Sequence, residues 1–324
     1  MKSNAPALNL VVNCAARKRS AVAEAFQLGN YKSGRNQDLA CLWTSALDSG
    51  AGNPIKAVDL YCGGYWSTIR NTVDHGFQGE PISLFIASAG YGLLNAEEMI
   101  LPYSATFARG LPDSIRCPNT SRDSSTTWWE SLKTWRYESG KTPSSLTTLA
   151  LSSPDTPLLV AVSAEYFQAL TSDLLSARDA LSDPDLLMIV STGVKNAGKL
   201  GPNLLPTDAR IEHLLGGVRS SLNALIVRHI LGNFSKDELL ASRLAPILKQ
   251  LHDEQPPIRN FDRVKMDDDS LLKFIKQQLA IMPEASFSIL LRELRKDGHA
   301  CEHKRFRGLF RSVIQSKLEP TPTA

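Results

Sequence analysis

The sequence predicts an α/β fold: a three-layer sandwich around a mainly parallel sheet, followed by a basic, all-helical C-terminal module. In residues 1–205, short apolar runs typical of buried parallel strands alternate with stretches that have helical periodicity. From residue 206 onward the pattern is purely helical. We therefore expect an α/β domain over residues 1–234 and a helical module over residues 235–324.

Four apolar runs are predicted to form the parallel sheet, because each is short and continuous, as expected for strands buried on both faces. They are residues 8–12, 83–87, 157–162 and 186–190. Residues 55–61 are either a fifth strand or the start of a helix. Between these runs, helices are predicted at residues 19–28, 92–100, 163–171 and 172–182.

The rest of the chain is predicted to be mostly helical. Residues 116–145 are polar with three tryptophans, and we expect them to cross the edge of the sheet with a helix near 127–135. Thr207 and Asp208 resemble a helix cap, so residues 206–230 are predicted to be one helix. Shorter helices are expected at residues 235–240, 267–280, 284–298 and 301–317, the last two joined as in a helix-turn-helix.

The charge of the chain is concentrated near its end. The 324 residues carry a net charge of only +3, yet the stretch 292–317 holds eight Lys or Arg against three acidic residues. Double-stranded DNA is therefore the predicted partner of the helical module, and the residues expected to contact it are Lys304, Arg305, Arg307 and Arg311. The alternative is an amphipathic helix whose apolar face packs inward while its charges are merely solvated.

Several other classes of protein are disfavoured. The five cysteines are widely spaced without a CxxC pair. His299 and His303 are four residues apart but lack the HExxH pattern, so they are interpreted as a solvated helix face, and no metal or cofactor is expected. No apolar run reaches 18 residues and the N-terminal run is too short for a signal peptide, which predicts a cytoplasmic protein without membrane contact. Phosphate-loop, GxGxxG and GxSxG motifs are also missing. No obligatory protein partner is inferred.

Three chemically rich segments follow predicted strand ends, at residues 13–20, 88–94 and 191–210. The carboxyl ends of parallel strands share one edge of a sheet, so these segments should converge. In the first segment, Asn13 is a candidate pocket residue, while Arg17 and Lys18 suit phosphates; the alternative is a solvated, basic helix start.

The segment after the fourth strand adds further candidates. Asp208 is either an acid that favours the dipole of a helix start or a group directed at the shared edge. Arg210 and Arg219 are candidate phosphate contacts, and Asn223 is a candidate pocket residue.

The stretch AVDLYCGGYW, residues 57–66, allows two interpretations. Its paired glycines permit close approach of a ligand, and its aromatic side chains offer stacking surfaces beside the acid Asp59. The same residues are also consistent with a plain turn whose aromatic side chains belong to the core.

The stretch SAGYGLLNAEEMILPYSATF, residues 88–107, is the most specific pattern. It combines Ser88, Tyr91, Tyr103 and Thr106 with the acid Glu97 directly after a predicted buried strand. Hydroxyl groups, phenol rings and a carboxylate suit a planar polar group such as a nucleobase or a sugar.

This stretch resembles a set of bacterial and phage proteins in which a strand ends in Ser-Ala-x-Tyr-Gly-Leu, followed by an Ile and a Pro-Tyr. The matching residues are Ser88, Tyr91, Gly92, Ile100, Pro102 and Tyr103, and the resemblance covers residues 8–225. Similar corners occur in the peroxide-stress protein family and in a domain of archaeosine synthase, with folds like that of uracil-DNA glycosylase. Within this set, the chain resembles anti-phage DNA glycosylases that remove glucosylated hydroxymethylcytosine. The Gly-x-Asp-Pro-Tyr and His-Pro-Ser motifs of uracil glycosylases are absent.

The resemblance implies cleavage of an N-glycosidic bond in a nucleotide flipped out of DNA. A carboxylate would stabilise positive charge on the sugar, with Asp59, Glu97 and Asp208 as candidates. Trp128, Trp129 or Trp135 would stack on the base or wedge the duplex. Two alternatives stay open: a non-catalytic DNA-binding protein that senses modified nucleotides, and a base-exchange enzyme or ribosyl hydrolase acting on nucleosides or RNA.

Overall fold

The computed structural model describes residues 6–31, 39–115, 123–257 and 262–318. The chain divides into two compact units, Met1–Pro257 and Ile258–Ala324. Strands in the described part of the first unit are β1 (Leu8–Asn13), β2 (Ile55–Lys56), β3 (Ile82–Ser88), β4 (Gly92–Asn95), β5 (Met99–Ile100), β6 (Leu158–Ala161) and β7 (Leu187–Val190). Its helices are α1 (Leu39–Ser49), α2 (Ala57–Leu60), α3 (Gly64–His75), α4 (Asp123–Glu138), α5 (Leu146–Ser152), α6 (Ala164–Ala180), α7 (Glu212–Leu215), α8 (Leu222–Asn233) and α9 (Ala241–Asp253).

The first unit is an α/β structure around a mainly parallel five-stranded sheet in the order β4-β3-β1-β6-β7. Strands β1, β3, β6 and β7 run parallel, which confirms the four predicted strands, and their residues are almost all buried. Helices flank this sheet, with α3 packed against α8, and α4 and α5 packed against α6. No helix in the described ranges is long and apolar enough to cross a membrane.

The prediction of a helix at residues 92–100 is wrong. These residues form β4, which pairs antiparallel with β3 from Ser88 opposite Gly92 to Phe85 opposite Asn95, and then β5. Gly92 has a φ of 75°, a left-handed conformation that a helix interior does not contain. A tight hairpin therefore replaces the helix, and Glu97 lies in the turn between β4 and β5.

Other predicted helices differ in their extent. Residues 19–28 contain short 3₁₀ turns rather than a helix, and residues 163–182 form the single helix α6. The helix predicted at 206–230 is interrupted by Gly216 and Gly217, both with positive φ, so that α7 and α8 are separate. Residues 55–61 contain the two-residue strand β2 followed by α2. The helix predicted within 116–145 is confirmed as α4.

The boundary between the units lies at 257/258 rather than at 234/235. Helix α9, which the sequence pattern did not predict, explains this difference because Leu244 and Leu248 on α9 belong to the core of the first unit. Residues 235–240 hold only a 3₁₀ turn, Lys236–Glu238.

The second unit has its own small core. Its described elements are β8 (Val264–Lys265), α10 (Asp268–Ile281), α11 (Phe287–Lys296), β9 (His299–Ala300) and α12 (His303–Leu318), and the three helices agree with the predicted ones. Leu271, Leu290 and Phe306 are buried together in this core. Since α10 and α11 both pack against α12, the apolar face of α12 is an internal one.

Candidate functional site: a cavity at the carboxyl edge of the sheet

The strand order reverses at β1. From β1 the chain moves outward on one side through β3 to β4, and it then crosses to the other side of β1 to form β6 and β7. In open parallel sheets, ligands bind outside the carboxyl ends of the strands at such a reversal. The segments after β1 and β6 should therefore border a binding site.

A cavity of about 550 Å³ lies at this position, and we call it the switch-point cavity. It is lined by residues that follow β1, β6 and β7 and by residues next to the first turns of α3 and α8. They are Asn13, Cys14, Ala15, Ala16, Tyr65, Ser163, Ala164, Glu165, Thr192, Gly193, Arg219, Ser220 and Asn223. The volume lies within the range of pockets that hold small molecules.

Two asparagines brace the edge of the cavity. Asn13 accepts a hydrogen bond from the Ser163 backbone N–H at 3.1 Å, which ties the end of β1 to the end of β6. Asn223 accepts from the backbone N–H and the hydroxyl of Thr192, at 3.2 and 2.9 Å, and donates to the carbonyl of Val162. These predicted pocket residues thus line the cavity, with most of their polar atoms bonded to protein.

Glu165 is the carboxylate of this cavity, and sequence reasoning did not identify it. It lies in the first turn of α6, and its Oε2 accepts a hydrogen bond from the Ser163 hydroxyl at 2.8 Å. A helix start favours an ionised carboxylate because the helix dipole is positive there. Arg219, a predicted phosphate contact, also lines the cavity, and its Nε lies 3.6 Å from Glu212.

Tyr65 provides an aromatic wall. Gly63, with a φ of 108°, precedes helix α3, and this start places Tyr65 in the cavity lining while Trp66 stacks on Tyr61 in the core at 4.9 Å. The Tyr65 hydroxyl donates to the Ala161 carbonyl, and burial raises the pKa of this phenol. The stretch 57–66 is therefore both a turn with core aromatic residues and a contributor to the cavity.

The three predicted carboxylates do not meet at this cavity. Asp59 is exposed on α2, and Glu97 is exposed in its turn, where it pairs with Lys56 at 2.7 Å. Asp208 caps a 3₁₀ turn through the backbone N–H of Arg210 and contacts Nε2 of His252 at 2.7 Å.

The corner at residues 88–107 forms a buried network of hydroxyl groups, which we call the tyrosine network (Tyr61, Ser88 and Tyr103). The Tyr103 hydroxyl lies 2.6 Å from the Ser88 hydroxyl and 2.9 Å from the Tyr61 hydroxyl. All three residues are fully buried. Burial raises the pKa of both phenols well above the ordinary value, so they remain neutral hydrogen-bonding groups.

Lys18 lies against the tyrosine network. Its Nζ is 4.6 Å from the centre of the Tyr103 ring and 5.9 Å from that of Tyr61, within the range of cation–π contacts. Arg17, the neighbouring predicted phosphate contact, is exposed. The corner therefore supports a lysine rather than lining the cavity.

The remaining predicted residues are dispersed. Tyr91 is buried and its hydroxyl bonds to the backbone of Leu101, while the Thr106 hydroxyl accepts from the N–H of Ala108 in a local turn. Trp128 and Trp129 are buried, with their indole N–H groups donated to Ala89 and Asp173. The indole N–H of Trp135, which is partly buried, bonds to Asp48.

The predicted DNA contacts on α12 differ from one another. Arg305 binds Asp268 and the carbonyl of Met266, so it stabilises the second unit itself. Lys304, Arg307 and Arg311 are exposed, and we call them the basic stripe, since a spacing of three and four residues places them on one helix face. Arg210 is held by Asp208 in the first unit.

Within the described ranges, no group of three His, Cys, Asp or Glu side chains is placed to hold a metal ion.

No family model matches the chain, and no curated protein matches its sequence.

Signals for the missed residues existed in the sequence. Ser163 and Glu165 directly follow the third predicted strand, in the same position relative to the sheet as the chemically rich segments 13–20, 88–94 and 191–210. The pattern does not single them out, because a Ser followed by an acid is also typical of an ordinary helix start.

Proposed function

We propose that the protein is a DNA glycosylase that hydrolyses the N-glycosidic bond of a flipped, modified cytosine and leaves an abasic site. The observation that carries this proposal is the switch-point cavity, where Glu165 and Arg219 line one space together with the ring of Tyr65. A flipped nucleotide needs an aromatic surface, a cationic contact for phosphate and a carboxylate near the sugar.

In this proposal, Glu165 stabilises the positive charge that develops on the sugar as the base departs. The hydrogen bond from Ser163 orients the carboxylate, and a water held by it attacks the anomeric carbon. Tyr65 stacks on the base, and Arg219 contacts the adjacent phosphate. Asn13 and Asn223 are positioning residues, because they fix the strand ends that carry the lining groups.

The identity of the base rests on the resemblance of residues 88–103, which supports glucosylated hydroxymethylcytosine of phage DNA and a role in anti-phage defence. We further propose that the first unit is a three-layer sandwich of the uracil-DNA glycosylase type. The second unit would then be a helix-turn-helix-like module that holds duplex DNA through the basic stripe. A cytoplasmic location follows from this role.

The test is a base-release assay with purified protein. We expect release of the modified base, measured by mass spectrometry, and alkali-sensitive sites from phage DNA that contains glucosylated hydroxymethylcytosine, with neither product from unmodified DNA. Glu165→Gln should reduce release by about 100-fold or more, since charge stabilisation at the reacting carbon is a large part of such catalysis. Glu24→Gln, at an exposed glutamate outside the cavity lining, is the matched control.

Other outcomes point to the alternatives. Binding of both DNAs without release of any base would favour a sensor of modified nucleotides. Hydrolysis of free nucleosides or RNA with no action on DNA would favour a ribosyl hydrolase. Loss of activity in Glu97→Gln or Asp59→Asn, with Glu165→Gln fully active, would place the reaction outside the switch-point cavity.

A further inference from the structure

Lys18 occupies an unusual position for a lysine that follows a strand. The backbone around it is fixed to α2 and the residues after it, because Arg19 N–H donates to Leu60 and Cys62 N–H donates to Arg17. Its side chain is directed at the rings of Tyr103 and Tyr61 rather than at bulk water.

The amine has no carboxylate partner within 4 Å among the residues that the structure describes. Its hydrogen bonds go to the backbone carbonyls of Ala15 at 3.3 Å and Ala16 at 3.5 Å. Burial lowers the pKa of the Lys18 ammonium, against smaller opposing effects of Cys14 and Asp113. A larger fraction of this amine is therefore neutral near pH 7 than of an exposed lysine, and only the neutral amine is a nucleophile.

The support under Lys18 is rigid. Tyr103 is held by its bonds to Ser88 and Tyr61, and Gly90 approaches its ring so closely that an added Cβ would lie 2.4 Å from it. Trp43 also contacts Tyr103 edge-on and donates its indole N–H to the Gly90 carbonyl. The rings against which the Lys18 amine packs are therefore held in fixed positions.

The amine is also next to the switch-point cavity. Ala15 and Ala16, whose carbonyls accept its hydrogen bonds, are themselves lining residues, as is Cys14. Lys18 itself is not a lining residue, so a change of rotamer about its flexible stem is required to bring Nζ past Ala15 and Ala16.

We propose that Lys18 forms an imine with the aldehyde of the abasic sugar, so that the protein is a lyase as well as a glycosylase. This inference rests on the proposed function, which supplies the abasic site. The lone pair of the neutral amine adds to C1′ of the ring-opened sugar, and the resulting carbinolamine takes up a proton from solvent and loses water to give a protonated imine. Transfer of a C2′ proton to water then breaks the C3′–O bond, and the 3′ phosphate leaves. Hydrolysis of the imine returns the amine.

The experiment is reductive trapping on DNA whose abasic site is made beforehand. A duplex with one abasic site is incubated with the full-length protein and sodium borohydride, which converts an imine to a stable secondary amine. We expect a covalent protein–DNA species, and peptide mass spectrometry should place the modification on Lys18. Lys18→Arg keeps the charge but cannot form the imine, so trapping should fall to the level seen without protein.

Lys195→Arg and Lys199→Arg are the matched controls, because both lysines are exposed after β7 and border a different cavity. Both variants should trap as the wild-type protein does. Mapping of the adduct on the wild-type protein decides the matter even where Lys18→Arg does not fold.

The outcomes separate this inference from the proposed function. Release of modified base without trapping, or an adduct on any other lysine, overturns the assignment of Lys18 and leaves the glycosylase in place. Trapping at Lys18 on the prepared abasic site without release of any base supports the lysine and overturns the proposed glycosylase.

Discussion

Tyr103 is the residue on which the corner at 88–107 depends. Its hydroxyl joins Ser88 and Tyr61 in a space without solvent access, and its ring faces Lys18 and Tyr91. The sequence predicted that these hydroxyl and phenol groups line a pocket. In the structure they are buried and pack beneath the Lys18 side chain instead. Burial distinguishes the two roles, and the sequence does not reveal how deeply a hydroxyl group lies.

Tyr103→Phe should therefore destabilise the first unit. The change leaves the Tyr61 hydroxyl without its phenol partner in a buried position, and such a loss costs about 1–3 kcal/mol. Urea unfolding followed by fluorescence measures it, with Tyr137→Phe as control because Tyr137 is 75% exposed. Equal midpoints for both variants would contradict the structural role of the Tyr103 hydroxyl.

Asp208 should make stability depend on pH in the acid range. Burial alone would raise its pKa, but the hydrogen bond from the Arg210 N–H, the close contact with His252 and the charges of both residues lower the pKa overall. A lowered native pKa means that the stabilisation is present above the unfolded pKa, near 4, and is lost as the pH falls through the native value.

We therefore expect the free energy of unfolding of wild type to fall more steeply below about pH 4 than that of Asp208→Asn. Denaturant titrations between neutral and acid pH compare the slopes, and Asp59→Asn, at an exposed carboxylate, is the control. Parallel curves for wild type and Asp208→Asn would contradict the prediction.

At the scale of elements, the hairpin between β3 and β4 shows where pattern reasoning failed. Residues 92–100 alternate in a way that a short helix also permits, and Glu97 and Glu98 resemble helix-surface residues. The close approach of Gly90 to the Tyr103 ring and the left-handed conformation of Gly92 favour a hairpin. The first is a tertiary contact and the second is a backbone angle, and a pattern of apolar and polar residues shows neither. The four parallel strands were predictable because a short, continuous apolar run is typical of a strand that is buried on both faces.

Gly90→Ala should destabilise this hairpin by about 1–3 kcal/mol, the usual cost of overpacking a filled core. The added methyl group would meet two ring atoms of Tyr103 at 2.4 Å and a Trp43 atom at 3.3 Å. Gly201→Ala is the matched control, since an added Cβ there meets nothing within 4 Å. Thermal unfolding of the two variants and wild type gives the comparison.

The basic stripe on α12 is the element through which duplex binding is proposed. Replacing Lys304, Arg307 and Arg311 with alanine should weaken binding at low salt and flatten the dependence of log K on log salt concentration by up to about 3. Lys273→Ala with Lys276→Ala, on the exposed surface of α10, is the control pair. Fluorescence anisotropy at several salt concentrations measures the slopes, and an unchanged slope would remove the stripe from the interface.

At the scale of the whole molecule, all lining residues of the switch-point cavity belong to Met1–Pro257. A protein that ends at Pro257 should therefore keep base release from a short single-stranded oligonucleotide while its affinity for duplex DNA falls. Mass spectrometry and anisotropy test the two halves of this expectation. A truncated protein that is folded by circular dichroism but releases no base from single strands would contradict it.

The general arrangement was predictable from the sequence, and the boundary between the units was not. Apolar runs and helical periodicity predicted an α/β unit followed by helices, whereas α9 became part of the first unit through Leu244 and Leu248, whose partners are distant in the chain. Asn13, Arg219 and Asn223, which the sequence placed at this edge, line the cavity, and so does Glu165, which it did not. The sequence predicts that the segments after the parallel strands meet at the carboxyl edge of the sheet. Which acidic side chain lies at the cavity depends on the order of the strands, which the sequence does not give.

Arg219 and Ser220 border the cavity from a short turn between Gly217 and helix α8, and both are exposed. Their replacement removes no buried contact of the sheet, so this turn can be varied without loss of the scaffold. Under the proposed function, in which Arg219 contacts the phosphate beside the flipped base, a combinatorial library at these two positions would change how the flanking nucleotide is held. The same tolerance would let these two positions diverge among related sequences without cost to the sheet.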